Sequence, residues 1–332
     1  MKVVYFILTL IYGFLAVLRR YLYEHNILKK KRLPLPVISI GNLSVGGTGK
    51  TPLTIFTAKQ LQKKKLKPCI LSRGYKRKTD ETLVVSDGEK IFVSWEYAGD
   101  EPYIMAKRGI PVVVGRERYK AGLLALDTIK PDLFILDDGF QHFQLERDIN
   151  ILIVDSTNPF WNDYLIPLGR LREPRSFYKY ADFFVITKLS NLTQKQKEAF
   201  LKEVEKFNKP YFIANEKLSG VIDKDFNRFD FSVLEGKEIV VFAGLGNNEQ
   251  FFNTVKRLSK EYHFKIKEFI SFPDHFDYKE FDLPEADIYL TTEKDIIKID
   301  KENVFAILYD FELDDKYINK ICEKINCVHT NS

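Results

Sequence analysis

Ser44-Val45-Gly46-Gly47-Thr48-Gly49-Lys50-Thr51 is the stretch on which the reading of this chain turns. It follows Pro36-Val37-Ile38-Ser39-Ile40, an apolar run that predicts a buried strand, and precedes Pro52-Leu53-Thr54-Ile55-Phe56, where a proline in the first turn marks a helix start. Strand, glycine turn and helix in that order make a phosphate cradle. Backbone N–H groups and the helix N-terminus face the anion, the Lys50 ammonium reaches β and γ oxygens, and the Thr51 hydroxyl helps to hold Mg²⁺. The common pattern opens on glycine where Ser44 stands, and Gly46 and Gly47 are extra glycines within the turn. A glycine turn without a ligand is the competing reading, and the flanks argue against it.

With 332 residues, the chain is long enough for two domains and a generous core, and its composition is that of an ordinary globular protein. A net charge of +5 is too mild to imply nucleic acid and suits anionic lipid or a phosphorylated ligand equally. The three cysteines, Cys69, Cys322 and Cys327, have neither CxxC nor metal-ligand spacing, which argues for a reducing compartment.

The N-terminus departs from this average. Residues 3–18 carry no charge and are bracketed by Lys2 on one side and Arg19, Arg20 and Lys29-Lys30-Lys31-Arg32 on the other. As a helix this run spans ~24 Å, slightly less than a hydrocarbon core of roughly 30 Å, so it either crosses a bilayer or lies in its interface. The basic, bulky flank lacks a signal cleavage site, and the positive-inside rule places the rest of the chain in the cytoplasm. The competing reading is an apolar helix packed on the protein's own core.

Further along, Pro68-Cys69-Ile70-Leu71-Ser72 predicts a second strand, and Arg73-Gly74-Tyr75-Lys76-Arg77-Lys78 is a basic loop at the strand end, where α/β sheets place ligands; charge alone would equally describe a solvated loop. Leu83-Val84-Val85 and Ile91-Phe92-Val93 around Asp87-Gly88 predict an inserted hairpin. Gly99-Asp100-Glu101-Pro102 opens a helix to about Lys107, and by position Asp100 reads as an N-cap. Val112-Val113-Val114 is a third strand, followed by Arg116, Arg118 and a helix over 119–126. Asp132-Leu133-Phe134-Ile135-Leu136-Asp137-Asp138 is an apolar strand ending in acids, the expected Mg²⁺ partner of Lys50-Thr51, with Gly139-Phe140-Gln141-His142 directly beyond.

Two more parallel-type strands, at 150–155 and 182–187, flank Pro167-Leu168-Gly169-Arg170-Leu171-Arg172-Glu173-Pro174, whose charge density predicts an exposed loop. A helix over 194–207 closes a first domain, and 211–231 predicts a linking ribbon. From Glu238 a new alternation begins: a strand, the Gly244-Leu245-Gly246-Asn247 turn, a helix, a strand over 264–270, the loop Phe272-Pro273-Asp274-His275-Phe276-Asp277, strands at 288–292 and 304–308, and a helix to about Ile325. A lone GxG is weak, so that turn reads as a plain strand-to-helix connection. The expected fold class is α/β: a doubly wound sheet domain of the P-loop NTPase type plus a smaller second α/β domain, behind an N-terminal membrane-associated helix. The expected boundaries are 1–30 for the anchor and basic flank, 31–207 for the P-loop core, 208–236 for the ribbon and 237–332 for the second domain.

Six blocks in one order then resemble a known family: residues 41–51, Ser72-Arg73-Gly74-Tyr75, Gly99-Asp100-Glu101-Pro102, residues 136–142, Leu171-Arg172-Glu173-Pro174 and Phe272-Pro273-Asp274-His275. They are similar to the tetraacyldisaccharide 4′-kinases of lipid A biosynthesis, and the similarity runs on to Thr291-Thr292-Glu293-Lys294-Asp295. Ser44 agrees with that family. The resemblance implies transfer of the ATP γ-phosphoryl group, with Mg²⁺, to the 4′-hydroxyl of a membrane-embedded tetraacyl glucosamine disaccharide 1-phosphate. It implies Asp100 as the base, aided by His275; Lys50 as a catalytic cation; Gly46, Gly47, Thr48, Gly49, Lys50 and Thr51 as the nucleotide cradle; and Thr51, Asp137 and Asp138 at the metal. Arg73, Tyr75, Arg118, His142, Arg172 and Glu173 resemble the acceptor-binding set. The implied location is the cytoplasmic face of the inner membrane, against anionic lipid, with no nucleic acid and no obligate protein partner. The alternative class is a P-loop GTP-binding switch or metal-delivery protein: Thr187-Lys188-Leu189-Ser190 is faintly similar to a guanine-reading loop but lacks its aspartate. A purely structural membrane-associated protein would leave Lys50-Thr51 without a purpose.

Overall fold

Strands of Val, Ile and Leu with no polar face need cover on both sides, and the first half of the chain supplies it. The computed structural model describes residues 2–274, 276–278 and 282–329. A long helix, α1 (Lys2–Glu24), leads to β1 (Val37–Gly41), α2 (Lys50–Lys63), β2 (Pro68–Ser72), β3 (Leu83–Asp87), α3 (Trp95–Ala98), α4 (Asp100–Lys107), β4 (Pro111–Val114), α5 (Arg118–Thr128), β5 (Leu133–Asp137), β6 (Ile149–Asp155), β7 (Phe183–Thr187) and α6 (Gln194–Glu205). With β8 (Tyr211–Ile213) the strands form an eight-stranded sheet in the order β3-β4-β2-β5-β1-β6-β7-β8, parallel except where β3 meets β4. Ile38, Ile40, Ile70 and Ile135 pack with Leu53 and Ala58 of α2 on one face. On the other, Val37, Leu71, Phe134 and Leu136 pack with Ala121 and Ala125 of α5.

Register positions the chemistry. Ile40 lies level with Asp137 and Leu71 with Leu136, so β1, β2 and β5 end together and bring the glycine turn, Ser72 and Asp137 to one edge. That edge is the carboxyl end of the sheet, beside the strand where the chain crosses from one side to the other, which is where α/β folds hold their ligands.

A second sheet follows from β9 (Asn215–Ile222), β10 (Arg228–Phe229), β11 (Glu238–Ala243), β12 (Lys265–Ser271), β13 (Ile288–Thr292) and β14 (Val304–Glu312), in the order β10-β9-β14-β13-β11-β12. Its helices are α7 (Asn248–Glu261), after β11, and α8 (Glu293–Ile296), after β13. The last helix, α9 (Asp315–His329), crosses back to the first sheet. There Tyr317, Ile318, Ile321 and Ile325 enter the core beside α2, and the Tyr317 and Thr57 hydroxyls share a 2.6 Å hydrogen bond. Each side chain so buried is worth about 1.5–3 kcal/mol.

Three local expectations are corrected. The second arm of the hairpin shrinks to one bridge, Ser86 with Ile91, while the other edge of β3 pairs with β4. Asp100 is the first helical residue of α4 and not its N-cap; Gly99 takes the cap at φ 90°, a conformation that suits glycine, and its Cα side lies against Gly74. The loop over 167–174 is not exposed throughout: Leu171 and Glu173 are 1% and 2% exposed.

Helix α1 is not a core helix. Val3, Phe6, Leu10 and Phe14 are more than half exposed, and among the described residues α1 is the one helix long and apolar enough to cross a membrane. Thr9, Arg20 and Tyr23 form its buried stripe.

Candidate active site

A cavity of about 740 Å³ opens where β1, β2 and β5 end. The turn before α2 forms one wall. Gly46 and Gly49 have φ of 111° and 89°, so the backbone can fold back without side-chain strain, and a Cβ on Gly49 would meet the Phe311 ring at 3.0 Å. Thr48 points inward: the Asn42 amide donates to its hydroxyl at 2.8 Å and the Thr187 hydroxyl donates to its carbonyl at 3.0 Å. Lys188 donates to the Gly47 carbonyl and to Asp155, both at 2.7 Å, so this residue braces the turn. Lys50 opens α2 and lines the cavity, its ammonium 3.9 Å from Asp138.

The acids are not equivalent. Asp137 is 4% exposed, accepts a hydrogen bond from Ser72 at 3.0 Å, and is pushed up to about 7 by burial, then by the charges of Glu101 and Asp138. Withdrawal from water also pushes Asp138 up, but the Arg172 hydrogen bonds and the charges of Lys50, Arg172 and Arg118 outweigh it and hold this carboxyl below its ordinary range. Arg172 grips both Asp138 oxygens at 2.8 Å and is itself fixed by the Asn42 side chain. Mg²⁺ usually takes one or two carboxylates and completes its shell with water and phosphate oxygens. Among the described residues no three acidic, histidine or cysteine side chains form a cage. A buried, repelled Asp137 beside a phosphate turn fits that sparse donor set, whereas Asp138 is already neutralised by Arg172.

Arg73, Tyr75, Arg118, His142 and Arg172 all line the cavity. Arg118 is 6% exposed and burial draws it down to about 10, so it keeps its charge at neutral pH. His142 is driven down to about 3 by burial and then by Arg118, Arg147 and Arg19, which makes it a neutral donor or acceptor. Glu173 sits behind this lining, accepting from Gln141 at 3.0 Å and from Arg20 of α1 at 3.4 Å. Asp100 also faces the cavity; His275 lies outside the described residues.

The profile of the family described as Tetraacyldisaccharide-1-P 4′-kinase matches residues 1–326. The chain belongs to this kinase family. It is 46% identical over 303 residues to the tetraacyldisaccharide 4′-kinase of Aquifex aeolicus, covering 89% of this chain and 90% of the relative. It is 36% identical over 331 residues to that of Halothermothrix orenii, covering 91% and 85%. It also resembles the crystal structure of the "apo" form of LpxK from Aquifex aeolicus in complex with ATP, with a TM-score of 0.83 and 43% identity over 96% of this chain and 97% of that one.

Several residues of this cavity escape a sequence reading. Glu101, next to Asp100, takes hydrogen bonds from Lys294 at 2.9 Å and from Thr51. Withdrawal from water pushes it up, but Lys294 and Lys50 outweigh this and hold it ionised. Lys294 comes from α8 of the second sheet, and Arg19, read from sequence only as a membrane flank, lines the same cavity. The adjacent acids of Gly99-Asp100-Glu101 were the available sign for Glu101; nothing local marks Lys294.

Proposed function

We propose that this kinase moves the γ-phosphoryl group of ATP to the 4′-hydroxyl of a tetraacyl glucosamine disaccharide 1-phosphate, at the cytoplasmic face of the inner membrane. The observation that carries the reading is one cavity lined by Lys50, Asp137, Asp100 and a cluster of arginines, with Arg19 of the apolar helix on its rim. The glycine turn and Lys50 bind the triphosphate, and Thr51 and Asp137 are the residues that would hold Mg²⁺, which when bound offsets charge on the β and γ phosphates. Asp100 accepts the sugar hydroxyl proton as the new O–P bond forms and the bond to the β-phosphate oxygen breaks, releasing ADP. Arg73, Arg118 and Arg172 suit an anionic acceptor, and Tyr75 and His142 suit sugar hydroxyls. The exposed face of α1 and its cationic flank keep the enzyme at an anionic lipid surface, where an acyl-chained acceptor resides.

The test is transfer of label from γ-labelled ATP to the disaccharide lipid. Asp100→Ala should slow turnover by about 10²–10⁴-fold while nucleotide still binds. Full turnover in that variant would remove Asp100 from the mechanism, and no labelled lipid from the parent enzyme would remove the acceptor assignment. His275→Ala with unchanged activity would dismiss the histidine.

A further inference from the structure

The seam between α4 and the α8 region is laced by three ion-paired contacts. Arg108 donates to both oxygens of Glu293 at 2.9 and 3.0 Å, Lys294 reaches Glu101 at 2.9 Å, and Lys298 reaches Asp100 at 2.9 Å. The second and third both reach the active-site cavity, and the third has the more deeply buried lysine. The Lys298 side chain is 3% exposed, its ammonium sits 5.6 Å from the centre of the Trp95 ring, and its partner lines the active-site cavity. Burying an ammonium is costly unless a carboxylate compensates it, so Lys298 and Asp100 depend on one another. The backbone around Lys298 is also held. Asp295, fully buried, accepts from the Gly244 N–H at 3.1 Å and the Thr292 hydroxyl at 2.7 Å, and its carbonyl receives the Lys298 N–H at 3.0 Å.

We propose that Lys298 is a positioning residue for Asp100: the second sheet supplies the cation that fixes the carboxylate's plane and keeps it aimed at the acceptor oxygen. This rests on the reading of Asp100 as base. In a loose phosphoryl-transfer transition state, positioning counts for more than proton abstraction. The Arg108–Glu293 pair joins the two sheets away from the cavity, whereas Lys298 holds a carboxylate that lines it.

The experiment is a double-mutant cycle on the full chain, with acceptor lipid in mixed micelles and both kcat and the KM for ATP measured. Lys298→Met should lower kcat by about 10²-fold with KM for ATP within about twofold, and Lys298→Arg should recover most of it. In an Asp100→Asn background, where turnover is already slow, Lys298→Met should cost less than about twofold more. An equal loss in both backgrounds, or parental kcat in Lys298→Met, would overturn the proposal while Asp100 stood. An Asp100→Asn enzyme with parental kcat would overturn the base itself and Lys298 with it. Should Lys298→Met fail to fold, Lys298→Gln alone and in the Asp100→Asn background supplies the same cycle. A loss with Gln that is equal in both backgrounds, or no loss in either, overturns the proposal, and a loss confined to the Asp100 background supports it.

Discussion

The turn at 44–51 and the loop at 163–174 lie side by side, joined by Val45 N–H to the Arg170 carbonyl at 2.8 Å and Arg172 N–H to the Leu43 carbonyl at 2.7 Å. They hold their shapes by different means. The turn is shaped largely by its own glycines and by its place between β1 and α2, and its distant braces, Thr187 and Lys188, reach its backbone carbonyls and not its side chains. The loop is held by residues far away in sequence: Tyr12 donates to the Arg172 carbonyl at 2.8 Å, Arg20 and Gln141 hold Glu173, and Asp138 and Asn42 hold the Arg172 guanidinium. Damage to the first should therefore appear as lost chemistry, and damage to the second as lost chemistry together with lost stability.

The largest effect expected is on the turn. Lys50→Ala should reduce kcat by about 10³-fold, since one preorganised cation facing the developing charge is removed, with Tm nearly unchanged because its ion pair with Asp138 is long, at 3.9 Å. Initial-rate kinetics and a thermal melt on the same sample check both halves; a large fall in Tm would blur the distinction between the two walls. Glu173→Ala should be the opposite case. It leaves Arg20, 4% exposed and ringed by Phe143, Phe177 and Tyr180, without its inner carboxylate, at a cost of about 3 kcal/mol read as a Tm several degrees lower. An unchanged Tm would mean that the loop, like the turn, stands by itself. The smallest effect is on pH. The Asp137 carboxyl is raised in the folded protein to about 7, so it favours the ligand-free fold fully below the ordinary carboxylate range and loses that contribution as pH climbs through 7. Mg²⁺ needs the ionised form, so its affinity should rise over the same interval, by roughly tenfold between pH 6 and pH 8, with protons released at the lower pH. Calorimetric titration in two buffers of different ionisation enthalpy measures this.

This contrast also explains what a linear reading captures. The order of β1, turn and α2, the buried parallel strands and the acids ending β5 rest on periodicity within a few residues, and they are visible in Ile38, Gly49 and Asp137. The burial of Glu173 is not, because a charged loop becomes an interior one only when Arg20 is brought against it from 153 positions away. Nor is the pairing of β3 with β4 on the edge away from Ile91, since it joins segments with a helix between them. Glu101 and Lys298 were hidden for the same reason: their partners lie on another sheet, and a Lys in Lys294-Asp295-Ile296-Ile297-Lys298 looks like any solvated helix cation.

The hydroxyl of Tyr12 has a practical consequence. Clipping away the greasy first helix to make a better-behaved soluble enzyme would also withdraw the prop under Arg172, the Thr9 hydroxyl that receives the Leu168 N–H, and one edge of the reaction chamber. Anyone wanting a detergent-free preparation should instead repaint the outer stripe, Val3, Phe6, Leu10 and Phe14, with polar residues and leave the inner stripe alone.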